Sequence, residues 1–309
     1  YYSHIFYWQM NRPGPGVNPT HDLWEDNREI WLNGQYFTEL IVERAIGYLR
    51  DAARQDRPFF LYVPFNAPHY PMHAPQQYVD RFPDLPWDRQ IMAAMLSAVD
   101  DGVGAILTEV ERLGQADNTC SFFTSDNGPS RETRNWLDGT QDPYYGGTSG
   151  VFRGHKGTLF EGGLRMPGII HWPERIPPGQ VLDGPCASMD IFPTLLNASG
   201  GQAGRYELDG CDILPYVAAG QPLPERDVCF ELRGQRAIRS GPWKLVLDGH
   251  QVEGVADEDK VHLANLDQDP GEKRNLKGQE PELTQELTQT VDGWYAGIET
   301  RWEQEFKKQ

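Results

Sequence analysis

Segments with helical periodicity alternate with short apolar runs along the first two thirds of the chain. Apolar residues recur at helical spacing in the longer segments, and the short runs have the length and composition of buried strands. The predicted elements are helices at 38–54, 88–114 and 189–198 and strands at 59–63, 119–125 and 168–172. Alternation of this kind places helices against a mostly parallel sheet. We therefore predict an α/β domain over residues 1–220, in which the Pro- and Gly-rich residues 1–37 form a long surface loop.

The sequence pattern changes after the Pro- and Gly-rich stretch at 220–224. Three short strands follow at 228–232, 235–240 and 243–247, and an acidic helix with one apolar side is predicted at 280–305. We expect residues 221–309 to form a smaller subdomain, in which an antiparallel sheet is covered by this helix.

The charge of the chain excludes one class of partner. Its formal charge is −17, whereas nucleic-acid binding depends on clustered Lys and Arg, so we expect no nucleic-acid partner. The same field repels any anionic substrate. A site for such a substrate therefore requires a local cation or metal ion that reverses the charge.

The four cysteines and the chain start carry less information. Cys120, Cys186, Cys211 and Cys229 form no C-x-x-C pair and no zinc-like cluster, so we expect buried thiols rather than disulfides or metal ligands. No continuous apolar run approaches the roughly 20 residues of a membrane-spanning helix, and we expect no membrane association. The chain starts at Tyr1 without Met or a signal-like stretch, and we expect it to be an internal part of a longer protein.

Asp126 and Asn127 follow the predicted strand at 119–125. Ligands of open α/β sheets collect at the carboxyl ends of strands, and Gly128 permits a sharp turn that aims both side-chain oxygens at one point. Adjacent hard oxygen donors suit calcium or magnesium. An ordinary Asx turn is the alternative for this tripeptide.

Two histidines follow the predicted strand at 59–63. His69 lies between Pro68 and the Tyr70-Pro71 pair, in a constrained loop where an imidazole could protonate a leaving oxygen. A capping or packing histidine is the alternative. His73 is a candidate for a substrate pocket.

Lys156 lies in a loop rich in glycine. Bare backbone at Gly154, Gly157, Gly162 and Gly163 allows close approach to a ligand, so a single ammonium there predicts an anion site. A solvated lysine in a flexible loop is the alternative. We expect the neighbouring arginines at 153 and 165 to form ion pairs rather than to contact substrate.

Taken together, these motifs resemble the sulfatase family of the alkaline-phosphatase-like superfamily. The resemblance is carried by F-F-L-Y-V-P-F-N-A-P-H-Y-P at 59–71, F-T-S-D-N-G at 123–128 and F-R-G-H-K-G-T-L-F-E-G-G-L-R-M-P-G-I-I-H-W-P at 152–173. It continues through S-M-D-I-F-P-T-L at 188–195, A-I-R-S-G-P-W-K-L at 237–245 and L-A-N-L-D-Q-D-P-G-E-K-R-N-L at 263–276.

The resemblance implies a calcium ion held by four oxygen-bearing residues, two of which correspond to Asp126 and Asn127. It also places Lys156 and His69 on the sulfate of a sulfated small molecule or glycan. The family's nucleophile is a formylglycine made from Cys or Ser in a C/S-x-P/A-x-R motif, and the other calcium ligands are a D-D pair. No convincing copy of the nucleophile motif occurs in this sequence, and no D-D pair lies near its amino terminus. We expect both to precede Tyr1 in a longer protein, and the chain alone to be inactive.

Two other functions stay open. Relatives in the same superfamily cleave phosphate diesters or phosphonate monoesters with similar apparatus, and the chain as it stands could bind anions without turnover. The family favours a secreted or periplasmic location. Specificity for one sulfate ester is expected to lie in the loops at 1–37 and 129–150.

Overall fold

The computed structural model describes residues 8–9, 20–21, 23–32, 34–69, 72–131, 147–204, 206–249 and 260–307. The chain forms two compact units. The first contains residues 1–119 and 130–148, and the second contains residues 120–129 and 149–309. Both sides of the predicted boundary at residue 220 lie in the second unit, so that boundary stays a prediction.

The first unit is mainly helical. In chain order it contains β1 (Trp8–Gln9), β2 (Thr20–His21), β3 (Trp24–Glu25), β4 (Arg28–Glu29), α1 (Phe37–Ala52), α2 (Gln76–Val79) and α3 (Trp87–Arg112). The two long helices confirm the helical pattern of the sequence. They approach closely at Gly102, where a Cβ atom would lie 2.6 Å from Val42 Cγ2.

The segment at 59–63 forms no strand, and the prediction of a buried strand there is wrong. Phe60 and Tyr62 are 71% and 75% exposed, and the Tyr48 hydroxyl donates a hydrogen bond to the Phe60 carbonyl. A strand requires a neighbouring strand for its backbone groups, and the described residues provide none beside this segment.

Helix α3 is long and apolar enough, by length and composition, to cross a membrane. Acidic residues interrupt the helix, so it contains no continuous apolar run of that length. The helix buries Ala94 and Met95, and its Asp101 pairs with Arg81 at 2.7 Å. Our expectation of no membrane association therefore stays a prediction.

The second unit begins with a pair of strands, and Asp126 and Asn127 follow the first of them. β5 (Ser121–Thr124) and β6 (Gly168–His171) pair antiparallel, whereas the sequence pattern favoured parallel strands. Gly168 at the start of β6 pairs with Thr124 at the end of β5, so β6 runs in the opposite direction. Among the described residues, three α-helices of this unit lie between β5 and the carboxyl-terminal sheet: α4 (Glu161–Leu164), α5 (Ile191–Ala198) and α6 (Leu214–Ala219).

The carboxyl-terminal part of the second unit confirms the predicted antiparallel sheet with one helix. It contains β7 (Asp227–Leu232), β8 (Gln235–Ser240), β9 (Trp243–Leu247), β10 (Val261–Asn265) and α7 (Pro281–Glu305). The strand order is β10-β9-β8-β7, and the sequence pattern missed β10. Leu287 and Val291 of α7 join the core that Ile238, Leu245 and Leu263 form on the sheet.

The cysteines form no disulfide. Cys120 and Cys229 pack against apolar clusters, as predicted for thiols in strand-like runs. Cys186 is exposed, so the expectation that it is buried is wrong.

Candidate functional site

The turn after β5 presents Asp126 and Asn127. Gly128, which follows them, is buried, and its N–H donates to the Gly163 carbonyl at 3.0 Å. A Cβ atom at Gly128 would lie 1.9 Å from the Gly162 carbonyl oxygen. Only glycine therefore permits the end of the strand to pack against the start of α4.

The Lys156 loop, residues 153–160, is folded into a tight turn. Gly154 and Gly157 both have a φ of +89°, a left-handed conformation that side chains disfavour. The Thr158 hydroxyl donates to the His155 carbonyl at 2.9 Å, which closes the turn. The Lys156 N–H donates to the Pro129 carbonyl at 3.0 Å. The structure thus brings the loop of Lys156 onto the turn that carries Asp126 and Asn127, within one unit.

The side chains of Asp126 and Asn127 fit part of a cation site. Asp126 is exposed and Asn127 half-buried, and they offer a carboxylate and an amide oxygen on adjacent residues. Calcium takes six to eight oxygen ligands, so two donors are an incomplete set. Over the described ranges of the chain, no group of three or more His, Cys, Asp or Glu side chains could hold a metal ion.

His69 and His73 lie in the first unit. The His69 N–H donates to the Asn66 carbonyl at 2.9 Å, in a turn that includes the cis Ala67–Pro68 bond. Tyr70 and Pro71, which the sequence analysis invoked, lie outside the described residues. Because His69 and Lys156 belong to different units, the convergence of all the candidate side chains stays a prediction.

His73 lines a cavity in the first unit. The Tyr36 hydroxyl donates to the His73 carbonyl at 3.1 Å, and burial lowers the pKa of His73 to about 4. The imidazole is therefore neutral at pH 7. The cavity has a volume of about 750 Å³, and Glu39, Glu43 and Gln77 also line it.

A buried cluster of charged residues lies beneath the Lys156 loop, and the sequence analysis missed it. Lys244 of β9 is 1% exposed, Glu272 is 0% exposed and Glu161 is 8% exposed. Lys244 Nζ donates to Glu161 Oε1 at 2.7 Å. Lys244 stands within the apolar run W-K-L-V-L at 243–247, which was the available signal for a buried charge that needs a partner.

The ion pair expected of the arginines in this region is confirmed for Arg165. Arg165 forms an ion pair with Glu161, with 3.7 Å between Nη1 and Oε2. Arg153 Nη1 donates to the Glu272 carbonyl at 2.8 Å, and its guanidinium lies 4.2 Å from the centre of the Phe160 ring. Both side chains are therefore engaged in structural contacts.

Burial also changes the acidity of Glu272. Loss of solvent raises the pKa of this carboxyl to about 7, although the Lys244 ammonium opposes the shift. Glu272 Oε2 accepts the N–H of Glu161 at 2.7 Å, whereas Oε1 lies 3.8 Å from Lys244 Nζ. Two carboxylates thus share one ammonium, and the raised pKa makes Glu272 easier to protonate than an exposed carboxyl.

Comparison with solved structures defines the class of this fold. The structure of Ps i-CgsB in complex with k-i-k-neocarrahexaose matches 87% of this chain and 56% of that chain, with a TM-score of 0.74 and 27% identity. The phosphonate monoester hydrolase of Agrobacterium radiobacter matches 83% and 60%, with a TM-score of 0.55 and 20% identity, and this likeness concerns the fold alone. The chain has the α/β fold of alkaline-phosphatase-like hydrolases.

Sequence comparison then defines the family. A sulfatase family model matches residues 6–201. Arylsulfatase A of Bos taurus is 34% identical over 281 residues, which are 84% of this chain and 52% of that protein. The chain belongs to the sulfatase family, and it spans about half the length of the curated relatives that it matches.

Proposed function

We propose that the protein containing this chain hydrolyses sulfate monoesters. The observation that carries the proposal is the hydrogen bond between the Lys156 N–H and the Pro129 carbonyl. It fastens a lysine-bearing loop to a turn with two hard oxygen donors. In a chain of charge −17, a lysine on this loop and a cation bound at this turn would supply the local positive charge that an anionic substrate requires.

In this proposal each candidate residue has one role. The Lys156 ammonium stabilises charge on the sulfuryl oxygens, and His69 protonates or stabilises the leaving oxygen. Asp126 and Asn127 would supply two of the oxygen ligands of a calcium ion. When bound, calcium supplies a fixed positive charge that polarises the sulfuryl group.

The nucleophile is proposed to be a formylglycine on a segment outside these 309 residues. Burial raises the pKa of the Cys120 and Cys229 thiols to about 11, and it raises the pKa of the half-buried Cys211 thiol as well. A protonated thiol is a poor nucleophile at neutral pH. These pKa values disfavour direct attack by a cysteine thiolate of this chain, and we expect the chain alone to be inactive.

The substrate is proposed to be a sulfated glycan or an aryl sulfate, as the names of the matched proteins indicate. The His73 cavity supports a binding role for uncharged parts of such a substrate. A neutral imidazole, carboxylates and side-chain amides line it, and these groups can exchange hydrogen bonds with sugar hydroxyls. A secreted or periplasmic location also remains part of the proposal.

The test compares Lys156→Ala with Lys273→Ala in the complete protein. Lys273 is an exposed lysine of the same unit, which makes it a matched control for loss of one charge. We expect Lys156→Ala to lower turnover of 4-nitrophenyl sulfate on the order of 10²-fold, with unchanged circular dichroism, and Lys273→Ala to leave turnover near that of the unchanged protein.

Two further measurements separate the alternatives. A higher kcat/KM on bis(4-nitrophenyl) phosphate than on 4-nitrophenyl sulfate would assign the protein to phosphodiester chemistry instead. Binding of inorganic sulfate without turnover of either ester by the complete protein would make it an anion-binding protein. Equal losses in the two lysine variants would remove Lys156 from the site.

A further inference from the structure

Glu272 occupies an unusual place in the turn between β10 and α7. Its side chain is completely buried, and its φ is +50°. Residues other than glycine adopt this conformation at a cost, and they keep it only where surrounding contacts require it. The contacts of Glu272 therefore indicate what holds it there.

Those contacts reach both ends of the Lys156 loop. At the start of the loop, Arg153 Nη1 donates to the Glu272 carbonyl at 2.8 Å. Just after its end, the Glu161 N–H donates to Glu272 Oε2 at 2.7 Å. The two ends also meet directly, because the Gly162 N–H donates to the Arg153 carbonyl at 2.6 Å. Glu272 thus fastens the base of the turn on which Lys156 stands.

Lys244 connects this base to the antiparallel sheet. Its ammonium contacts Glu161 at 2.7 Å and Glu272 at 3.8 Å. Just before Glu161, Leu159 and Phe160 pack against Ala237 and Val246. A buried charge that loses one partner leaves the other uncompensated, so this cluster holds the loop base in one arrangement.

We propose that Glu272 is a positioning residue for Lys156, whose loop it holds at both ends against the turn that carries Asp126 and Asn127. The proposal rests on the proposed function for its catalytic consequence, but its structural part stands alone. Lys156 is three residues from Arg153 and five from Glu161. A loose loop base therefore displaces its ammonium directly, and a displacement of about 1 Å can cost 10²-fold in rate.

A purely structural role for Glu272 makes a different prediction. In that case its loss would weaken the whole second unit and would affect every amide alike. Asp190 provides the matched control. It is also completely buried, it accepts the Ala187 N–H at 2.8 Å and Arg226 Nη1 at 2.7 Å, and none of its partners lies in the Lys156 loop.

The experiment measures amide hydrogen exchange by NMR in the 309-residue chain. We expect Glu272→Ala to accelerate exchange of the Lys156 and Glu161 amides on the order of tenfold, and Asp190→Ala to leave the Lys156 amide close to its original rate. Glu272→Gln keeps an oxygen acceptor for the Glu161 N–H, and we expect it to restore slow exchange. If Glu272→Ala does not fold, Arg153→Met tests the loop base from its other end.

In the complete protein, we expect Glu272→Ala to lower kcat on the order of 10²-fold with little change in KM, and Glu272→Gln to recover most of it. Unchanged exchange at Lys156 in Glu272→Ala, or equal acceleration in Asp190→Ala, would overturn the positioning role. If the complete protein hydrolyses no sulfate ester, the proposed function fails. The exchange rates still decide whether Glu272 positions the Lys156 loop, so the two failures are distinguishable.

Discussion

Glu272→Gln tests whether a buried carboxyl beside Lys244 carries a proton. Burial raises the pKa of Glu272 from 4.5 to about 7. Between these values the folded chain holds a proton that the unfolded chain has released, so this group lowers stability as pH rises. The amide that replaces the carboxyl in Glu272→Gln cannot titrate. From pH 5 to pH 8 the free energy of unfolding of this variant should therefore rise, relative to the unchanged chain, by about 2–3 kcal/mol.

Charged neighbours also shift the pKa of Glu272, and His73 also makes the stability of the chain depend on pH. The Lys244 ammonium and the Arg153 guanidinium lower the pKa of Glu272, and the Glu161 carboxylate raises it. His73 in the first unit acts in the opposite direction on stability, because its pKa is lowered from 6.5 to about 4 and the unfolded chain binds the additional proton. Both proteins retain His73, so its contribution cancels in the difference.

The assay is urea-induced unfolding at pH 5, 6, 7 and 8 for the unchanged chain, Glu272→Gln and Glu225→Gln. Glu225 is exposed, and the same chemical change there should give a difference that does not vary with pH. A constant difference for Glu272→Gln as well would show that Glu272 is ionised throughout, and the reasoning from burial would be refuted.

Three other predictions follow from the candidate site. Gly128→Ala should destabilise the chain by about 1–3 kcal/mol, because the new methyl group overlaps a backbone carbonyl. Gly297→Ala is the control: a new Cβ at this helical glycine has no atom within 4 Å, and the change should stabilise the chain by about 0.5–1 kcal/mol. Equal thermal stabilities of the two variants would contradict the packing argument. His69→Ala in the complete protein should slow hydrolysis of a sugar sulfate more than that of 4-nitrophenyl sulfate, because a basic leaving alkoxide needs a proton more; equal losses in kcat would remove the acid role. The 309-residue chain should bind calcium weakly through Asp126 and Asn127 alone, and tight binding in calorimetry would mean that other residues complete the ligand set.

Periodicity predicted the elements whose stability is local. Helices α1, α3 and α7 and strands β7, β8 and β9 lie within two residues of their predicted bounds, because each has a clear apolar face and short connections. The segment at 59–63 has the same apolar character, yet it forms no strand. Whether this segment forms a strand depends on whether another strand supplies hydrogen-bond partners, and the sequence of the segment itself does not specify this. The antiparallel direction of β6 likewise depends on the path of the 43 residues between β5 and β6.

The sequence by itself determined the chemistry that the chain can offer. The choice of Asp126, Asn127, Lys156 and His69 as candidates rests on residue type, on glycines that permit tight turns and on a family resemblance that the comparisons confirm. Only the tertiary structure decided which charged residues are buried and what they hold. Lys244 and Glu272 stand 28 positions apart in the sequence, and they lie together because the sheet and the following turn enclose them. Burial and pairing are properties of the folded environment, so the raised pKa of Glu272 and its contacts at the base of the Lys156 loop follow from the three-dimensional packing alone.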